Sequence, residues 1–291
     1  MGREGTRSLA RDEARTFEVI AVGEATTNLT APGGVLQTTS AALRFRPGGG
    51  AVTAALAMAR AGLRVGLVTA LADDDFGRRV RVRVRHAGID DGGVATARPR
   101  AGLVLLEGAG AAREVVPYHD EDVPLAVPEG WSSPVLLMSA LSPIVATAAS
   151  LCKEARAAKR RGAIVVVDVH ARWHLWAGRD PRAIHMVLRE ADVVHATTHD
   201  LAALAVDAEA MRRMLRSDAV LVVSEATGEA RATGPFGTIS RGPLGPPSMA
   251  PDRAGAPFAA AICAELVPVG AMGAHRSEIW DRAFRRVRMR S

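Results

Sequence analysis

The stretch Pro251-Asp252-Arg253-Ala254-Gly255-Ala256-Pro257-Phe258 combines residue types and spacing suited to chemistry. A glycine turn runs straight into an apolar segment, Phe258 to Leu266, whose pattern predicts a buried helix. Pro257 suits the first helical position, where its missing N–H costs nothing and its fixed φ is already helical. The unpaired N–H groups and positive dipole end of such a helix form an anion site, suited to a phosphate. A second polar group lies at Asp168, His170 and Arg172: a carboxylate, an imidazole and a guanidinium just after an apolar strand. His170 and His174 are four apart, as metal ligands on a helix would be, but no third ligand is near, and no metal site is read there. Asp73-Asp74-Asp75 fits a helix cap better than a metal. Gly48-Gly49-Gly50 opens an Ala-rich helix; it is neither a G-x-G-x-x-G fingerprint nor a Walker loop, and a tight turn with close packing is its plain reading.

The elements that must position these groups follow from periodicity. Phe17 to Val22 reads as a buried strand ending at Gly23, and Glu24 to Thr30 then lies at its carboxyl end. Short strand-like pieces within 31–47 and 101–118 predict a small β flap, with a hairpin around Gly108-Ala109-Gly110. Val65 to Thr69 reads as a strand. Arg79 to Arg85 alternates like one, but Phe76, Val80, Val84 and Ala87 share a helical face, so 76–87 is read as a helix. From Val135 onward strands (135–139, 163–168, 193–195, 219–224) alternate with helices (144–161, 181–190, 208–216). That order predicts right-handed βαβ units and a mainly parallel, doubly wound α/β sheet flanked by helices. In such sheets ligands bind at the carboxyl ends of the strands, the edge where Asp168 falls. Residues 228–250, rich in Gly and Pro, predict a hairpin and loop.

The 291 residues allow a sizeable core. A net charge of +6 would ordinarily raise nucleic-acid binding. However, only Lys153 and Lys159 are lysines, and the arginine excess among so much Ala and Gly reads as base composition; no nucleic-acid partner is expected. Cys152 and Cys263 read as buried free thiols of a reducing, cytoplasmic setting. No apolar run has the length of a membrane span, and residues 1–16 read as a polar tail rather than a secretory signal.

Several of these motifs, in order over Phe17 to about Phe284, resemble the ribokinase/PfkB family of carbohydrate kinases. Gly23-Glu24-Ala25 with Asn28-Leu29 is similar to the first-strand motif, and Gly48-Gly49-Gly50 through Gly62 to the Gly-Gly sugar signature. Asp168 to Trp176 resembles the Asp-x-Asn-x-Arg-x-x-Leu-Trp stretch of the 2-keto-3-deoxygluconate kinase and fructokinase branch. Asp252 to Ala256 resembles the start of the second signature, Asp-Thr-x-Gly-Ala-Gly-Asp-x-Phe. The resemblance implies ATP with Mg²⁺, phosphoryl transfer to a hydroxyl of a small sugar or sugar acid, a β lid, and homodimers formed through that lid. It implies a substrate side at Asn28, Gly48, Gly49, Thr53, Asp168, His170 and Arg172, and a nucleotide side at Thr197, Asp200, Ser224 and Gly228. Gly255 and Ala256 take the catalytic turn, with Asp252 as the carboxylate left beside it.

The departures from the family gather at this site. Gly255-Ala256-Pro257-Phe258 is two residues shorter than the family's Gly-Ala-Gly-Asp-x-Phe and lacks its second glycine and its catalytic aspartate. Asn28 stands for the sugar-binding Asp, Thr53 for an Asn, and His170 for the Asn after the strand Asp. Thr197-Thr198-His199-Asp200 stands for Asn-x-x-Glu, and Ser224-Glu225-Ala226 for Thr-x-Gly. The chain also ends earlier than the family's later helices. Three readings follow: a sugar kinase with a remodelled site, a non-catalytic sugar- or nucleotide-binding pseudokinase with a regulatory role, and a decaying paralogue.

Overall fold

The computed structural model describes residues 14–30, 43–98, 100–107, 114–118, 123–139, 148–171, 182–242 and 255–288. The first half begins with β1 (Arg15–Thr16), β2 (Val19–Gly23), β3 (Thr26–Thr30), β4 (Arg44–Gly48) and α1 (Gly50–Arg60). There follow β5 (Val65–Ala72), α2 (Asp75–His86), β6 (Asp90–Arg98), β7 (Leu103–Glu107), β8 (Glu114–Tyr118) and β9 (Trp131–Ser132). The second half is regular: β10 (Val135–Ser139), α3 (Ala148–Arg160), β11 (Ile164–Asp168), α4 (Arg182–Leu188), β12 (Val193–Thr197), α5 (Thr198–Ala203), α6 (Ala208–Met214) and β13 (Val220–Ser224). A hairpin, β14 (Ala230–Gly234) and β15 (Gly237–Arg241), precedes α7 (Gly255–Leu266), α8 (Gly270–Gly273) and α9 (Ser277–Arg288).

Nine strands make one sheet in the order β15-β14-β13-β12-β11-β10-β2-β5-β6. All neighbours from β13 to β6 run parallel, and the β14–β15 hairpin closes one edge antiparallel. Strands β2, β5, β10, β11 and β12 are buried along their whole length, which is why they read as unbroken apolar runs and not as alternating ones. One core cluster packs α1, α2, α7 and α9 on one face, and the other packs α3, α4 and α6 on the opposite face. The chain winds from β2 outward to β6, then returns to β10 on β2's other side and winds away to β13. The crevice between β2 and β10 is therefore the topological switch point, the general ligand position in open α/β sheets.

A second sheet, β4-β3-β7-β8, is the lid. The polar stretch Glu24 to Thr30 does follow the carboxyl end of β2, and its residues Thr26 to Thr30 supply the lid strand β3, because the chain leaves the main sheet at Gly23 and pairs with β4 and β7. The pieces read at 35–37 lie outside the described residues. The hairpin read after 101 forms as β7–β8. The tail expected over 1–16 is also too long: Arg15 and Thr16 pair with Trp131 and Ser132, and Arg15 bonds Asp90 at 2.9 Å.

The ambiguous arginine stretch is a helix. Val80 and Val84 are buried while Val82, which a strand would place on their face, is 51% exposed. Asp74 caps that helix by accepting from the Gly77 N–H, and its other oxygen accepts from the Ala101 N–H at the entry to the lid. Asp73 and Asp75 pair with Arg78 on the surface. The triple aspartate is a helix cap with ion pairs.

Candidate functional site

Strands β2, β10, β11, β12 and β13 end side by side in Gly23, Ser139, Asp168, Thr197 and Ser224. Gly23 has φ 145°, and a Cβ there would fall 2.0 Å from the Ser139 carbonyl oxygen, so the switch point is closed by backbone against backbone. Its own carbonyl accepts from the buried Thr69 hydroxyl at 2.7 Å.

Along this edge the structure assembles a polar chain of which the motifs marked only Asp168 and Ser224. The Ser139 hydroxyl donates to Asp168 Oδ2 at 2.9 Å. Asp168 Oδ1 lies 2.8 Å from His195 Nδ1, and His195 Nε2 lies 2.9 Å from Ser224 Oγ. All four residues are buried. Burial alone would raise the Asp168 pKa, but the His195 hydrogen bond and charge, with help from His170 and Ser139, bring it below the ordinary value. The carboxylate is thus ionised and His195 Nδ1 carries the proton it donates. Sequence reading placed His195 only as the end of a strand. The signal was a polar residue inside an apolar run, at the level of Asp168 on the next strand, with which it pairs in register.

Helix α7 sits over this chain. It begins at Gly255, so Pro257 is its third residue and not the first as expected. Both positions lie in the first turn, where an absent N–H breaks no intrahelical bond. A Cβ at Gly255 would lie 3.8 Å from Asp168 Oδ1, His195 Cε1 and Thr197 Cγ2, and the Phe258 ring stacks on His195 at 5.8 Å. The amino end of α7 and the Asp168 carboxylate are therefore neighbours, the favourable placing of an anion at a helix N-terminus. Ala256 is partly exposed. Asp252 and Arg172 lie outside the described residues.

The other expected residues fall into place as follows. Asn28 lies on β3 and accepts from the Thr26 hydroxyl at 3.1 Å. Its amide fills the space where a Gly48 Cβ would stand, 2.1 Å from Oδ1, so Asn28 and Gly48 do meet. Gly49 has φ 85°, and a Cβ there would come within 2.4 Å of the Glu24 carbonyl oxygen. The glycine triplet thus serves a tight turn with close backbone packing. The Thr53 hydroxyl donates back to the carbonyls of Gly49 and Gly50 at 2.8 and 3.0 Å, within its own helix. His170 follows β11 in a left-handed conformation, φ 41°, uncommon for a side-chain-bearing residue. Thr197 and Asp200 bond each other in a capping box at the start of α5. Gly228, φ 82°, donates to the Glu225 carbonyl in the turn from β13 to β14.

The described residues contain no group of three or more His, Cys, Asp or Glu able to hold a metal. The Mg²⁺ that the family resemblance implies would arrive with the nucleotide, whose phosphates leave only about one or two carboxylates for the protein to supply. Among the described residues the carboxylate beside Gly255, Asp168, already has both oxygens bonded. Between lid and core a cavity of ≈ 10 Å³, about the room of one water, lies beside Thr26, Thr27, Leu71 and Gly102.

Comparison with known proteins agrees with this architecture. Residues 16–234 match the family described as pfkB family carbohydrate kinase. A rice (Oryza sativa subsp. japonica) fructokinase-1 is 30% identical over 168 residues, 53% of this chain and 52% of that protein. A 5-dehydro-2-deoxygluconokinase of Clostridium perfringens is 26% identical over 206 residues, 65% of this chain and 60% of that protein. The alignments thus span between half and two thirds of these relatives' own length. The crystal structure of fructokinase with bound ATP from Xylella fastidiosa superposes with a TM-score of 0.74 at 20% identity, covering 94% of this chain and 91% of that one, a likeness of fold. With a doubly wound sheet, a β lid at its switch point and a family match over most of its length, the chain belongs to the pfkB family of carbohydrate kinases.

Proposed function

We propose that this protein binds ATP and a small sugar or sugar acid at the carboxyl edge of the sheet and transfers the γ-phosphoryl group to a hydroxyl of the sugar. The observation that carries this reading is the seating of the α7 amino end over the strand ends at Asp168, His195 and Thr197, beside the lid-bearing switch point. The N–H groups of Gly255 and Ala256 would meet charge on the transferring phosphoryl group, as preorganised donors. Pro257 contributes none. The acceptor, a ketose or keto-deoxy acid by analogy with the fructokinase and 5-dehydro-2-deoxygluconokinase relatives, would lie toward Asn28, Gly48, Gly49, Asp168, His170 and Arg172. Its hydroxyl proton would pass to a carboxylate as the new O–P bond forms and the bond to ADP breaks; Asp252 is the residue we assign to that role. The nucleotide would lie toward Ser224 and Gly228.

One observation favours a second reading, a non-catalytic binder of sugar or nucleotide. Asp168, the carboxylate nearest Gly255 among the described residues, is ionised, buried and bonded on both oxygens, a poor proton acceptor. One experiment separates the two. ADP formation is followed over a panel of D-fructose, 5-dehydro-2-deoxygluconate and 2-keto-3-deoxy acids, and a thermal-shift screen is run with the same sugars and ADP. Acceptor-dependent ADP formation establishes the kinase. Thermal shifts without turnover establish the binder, and neither signal would sink both readings. Under the kinase reading Asp252→Ala lowers kcat by about 10²-fold or more, the range for a lost general base.

A further inference from the structure

The Ser139–Asp168–His195–Ser224 chain links the two halves of the site just proposed. Asp168 closes β11, the strand that leads to His170 on the acceptor side. Ser224 closes β13, the strand that leads to Gly228 on the nucleotide side. His195 lies on the strand between them, β12, and reaches both: Nδ1 to Asp168 at 2.8 Å and Nε2 to Ser224 at 2.9 Å. Its ring is clamped from above by Phe258, three residues into α7 from Gly255.

We propose that His195 is a positioning residue with two separable duties, holding the Asp168 carboxylate for the acceptor side through Nδ1 and the Ser224 hydroxyl for the nucleotide side through Nε2. The inference rests on the kinase-site reading above. Its physical basis is that a carboxylate and a hydroxyl in a closed site keep one orientation only when every hydrogen bond is satisfied. Asp168 is held by Ser139 on one oxygen and by His195 on the other.

Side-chain geometry allows the two duties to be cut apart. In His195→Asn the amide nitrogen takes the place of Nδ1, so the Asp168 contact is kept and the Ser224 contact is lost. In His195→Gln the amide reaches the place of Nε2, so the reverse holds. Affinities for ADP and for D-fructose are measured by calorimetry at one pH, with circular dichroism and thermal melting showing that each variant is folded. His195→Asn is expected to weaken ADP binding about tenfold and leave fructose unchanged; His195→Gln is expected to weaken fructose about tenfold and leave ADP unchanged. Ser139→Ala, a smaller change that removes the other support of Asp168, is expected to act like His195→Gln and serves if the histidine variants do not fold. A merely structural histidine would weaken both ligands together in both variants, and that pattern, or no change in either, overturns the inference while leaving the kinase site standing. A wild-type protein that binds neither ligand overturns both.

Discussion

At the scale of single residues, the site depends on charge enclosed and paired. Asp168 is 2% exposed and His195 fully buried, so removing one partner leaves the other with a buried polar atom unpaired. Asp168→Asn is expected to lower unfolding stability by about 3 kcal/mol in urea denaturation, well above a surface carboxylate change. Two glycines test the backbone reading. Gly49 and Gly62 share nearly the same left-handed φ, 85° and 87°, but a Cβ meets the Glu24 carbonyl oxygen at 2.4 Å in the first and nothing within 4 Å in the second. Gly62→Ala should cost about 1 kcal/mol of conformational strain. Gly49→Ala should cost that plus an overpacking cost of about 2 kcal/mol, again read from denaturation midpoints.

At the scale of elements, polar residues at helix ends decide how lid and helices are fastened. Asp74 joins the start of α2 to the lid entry through Gly77 and Ala101. Phe45 of the lid strand β4 stacks on Phe76 of the same helix and lies under Arg79. Asp74→Ala is expected to cost about 1 kcal/mol, the usual worth of an N-cap, and to speed hydrogen exchange at the Ala101 amide. At the other end α9 is fastened to α7 by buried Glu265, which pairs with both Arg282 and Arg286. The two arginines are half exposed, so this clasp is weakened by salt. Glu265→Gln should loosen α9 by about 1 kcal/mol at low salt and less at high salt, seen as exchange confined to that helix.

For the whole molecule, pH links both features. Burial would raise the Glu265 pKa, but the Arg282 and Arg286 hydrogen bonds hold it below its ordinary value, and Asp168 is depressed as well. Groups whose folded pKa is lowered stabilise fully above the unfolded value and lose that contribution as pH falls through the folded one. The melting temperature should therefore stay level near neutrality and fall steeply below about pH 4, near the ordinary carboxyl pKa values. Asp168→Asn should flatten part of that acid slope although it lowers stability overall; an unchanged slope would show that Asp168 is not ionised in the folded protein. No helix of the described residues is long and apolar enough to cross a membrane.

The sequence by itself determined the doubly wound sheet, because strands buried on both faces must be written as unbroken apolar runs and their glycine, serine and aspartate endings mark the binding edge. It also placed the start of α7 within two residues, at Pro257 where the helix begins at Gly255, and the glycine triplet at a tight turn, since both are local backbone matters. It did not mark β3 as a strand, because four of the five residues Thr26 to Thr30 are polar and no apolar alternation shows there, although Thr26 and Thr27 are buried. What only the tertiary structure decided is which polar residues meet. Ser139, Asp168, His195 and Ser224 stand 29, 27 and 29 positions apart along the chain. Only the register of four neighbouring parallel strands brings them within hydrogen-bonding distance beneath the first turn of α7.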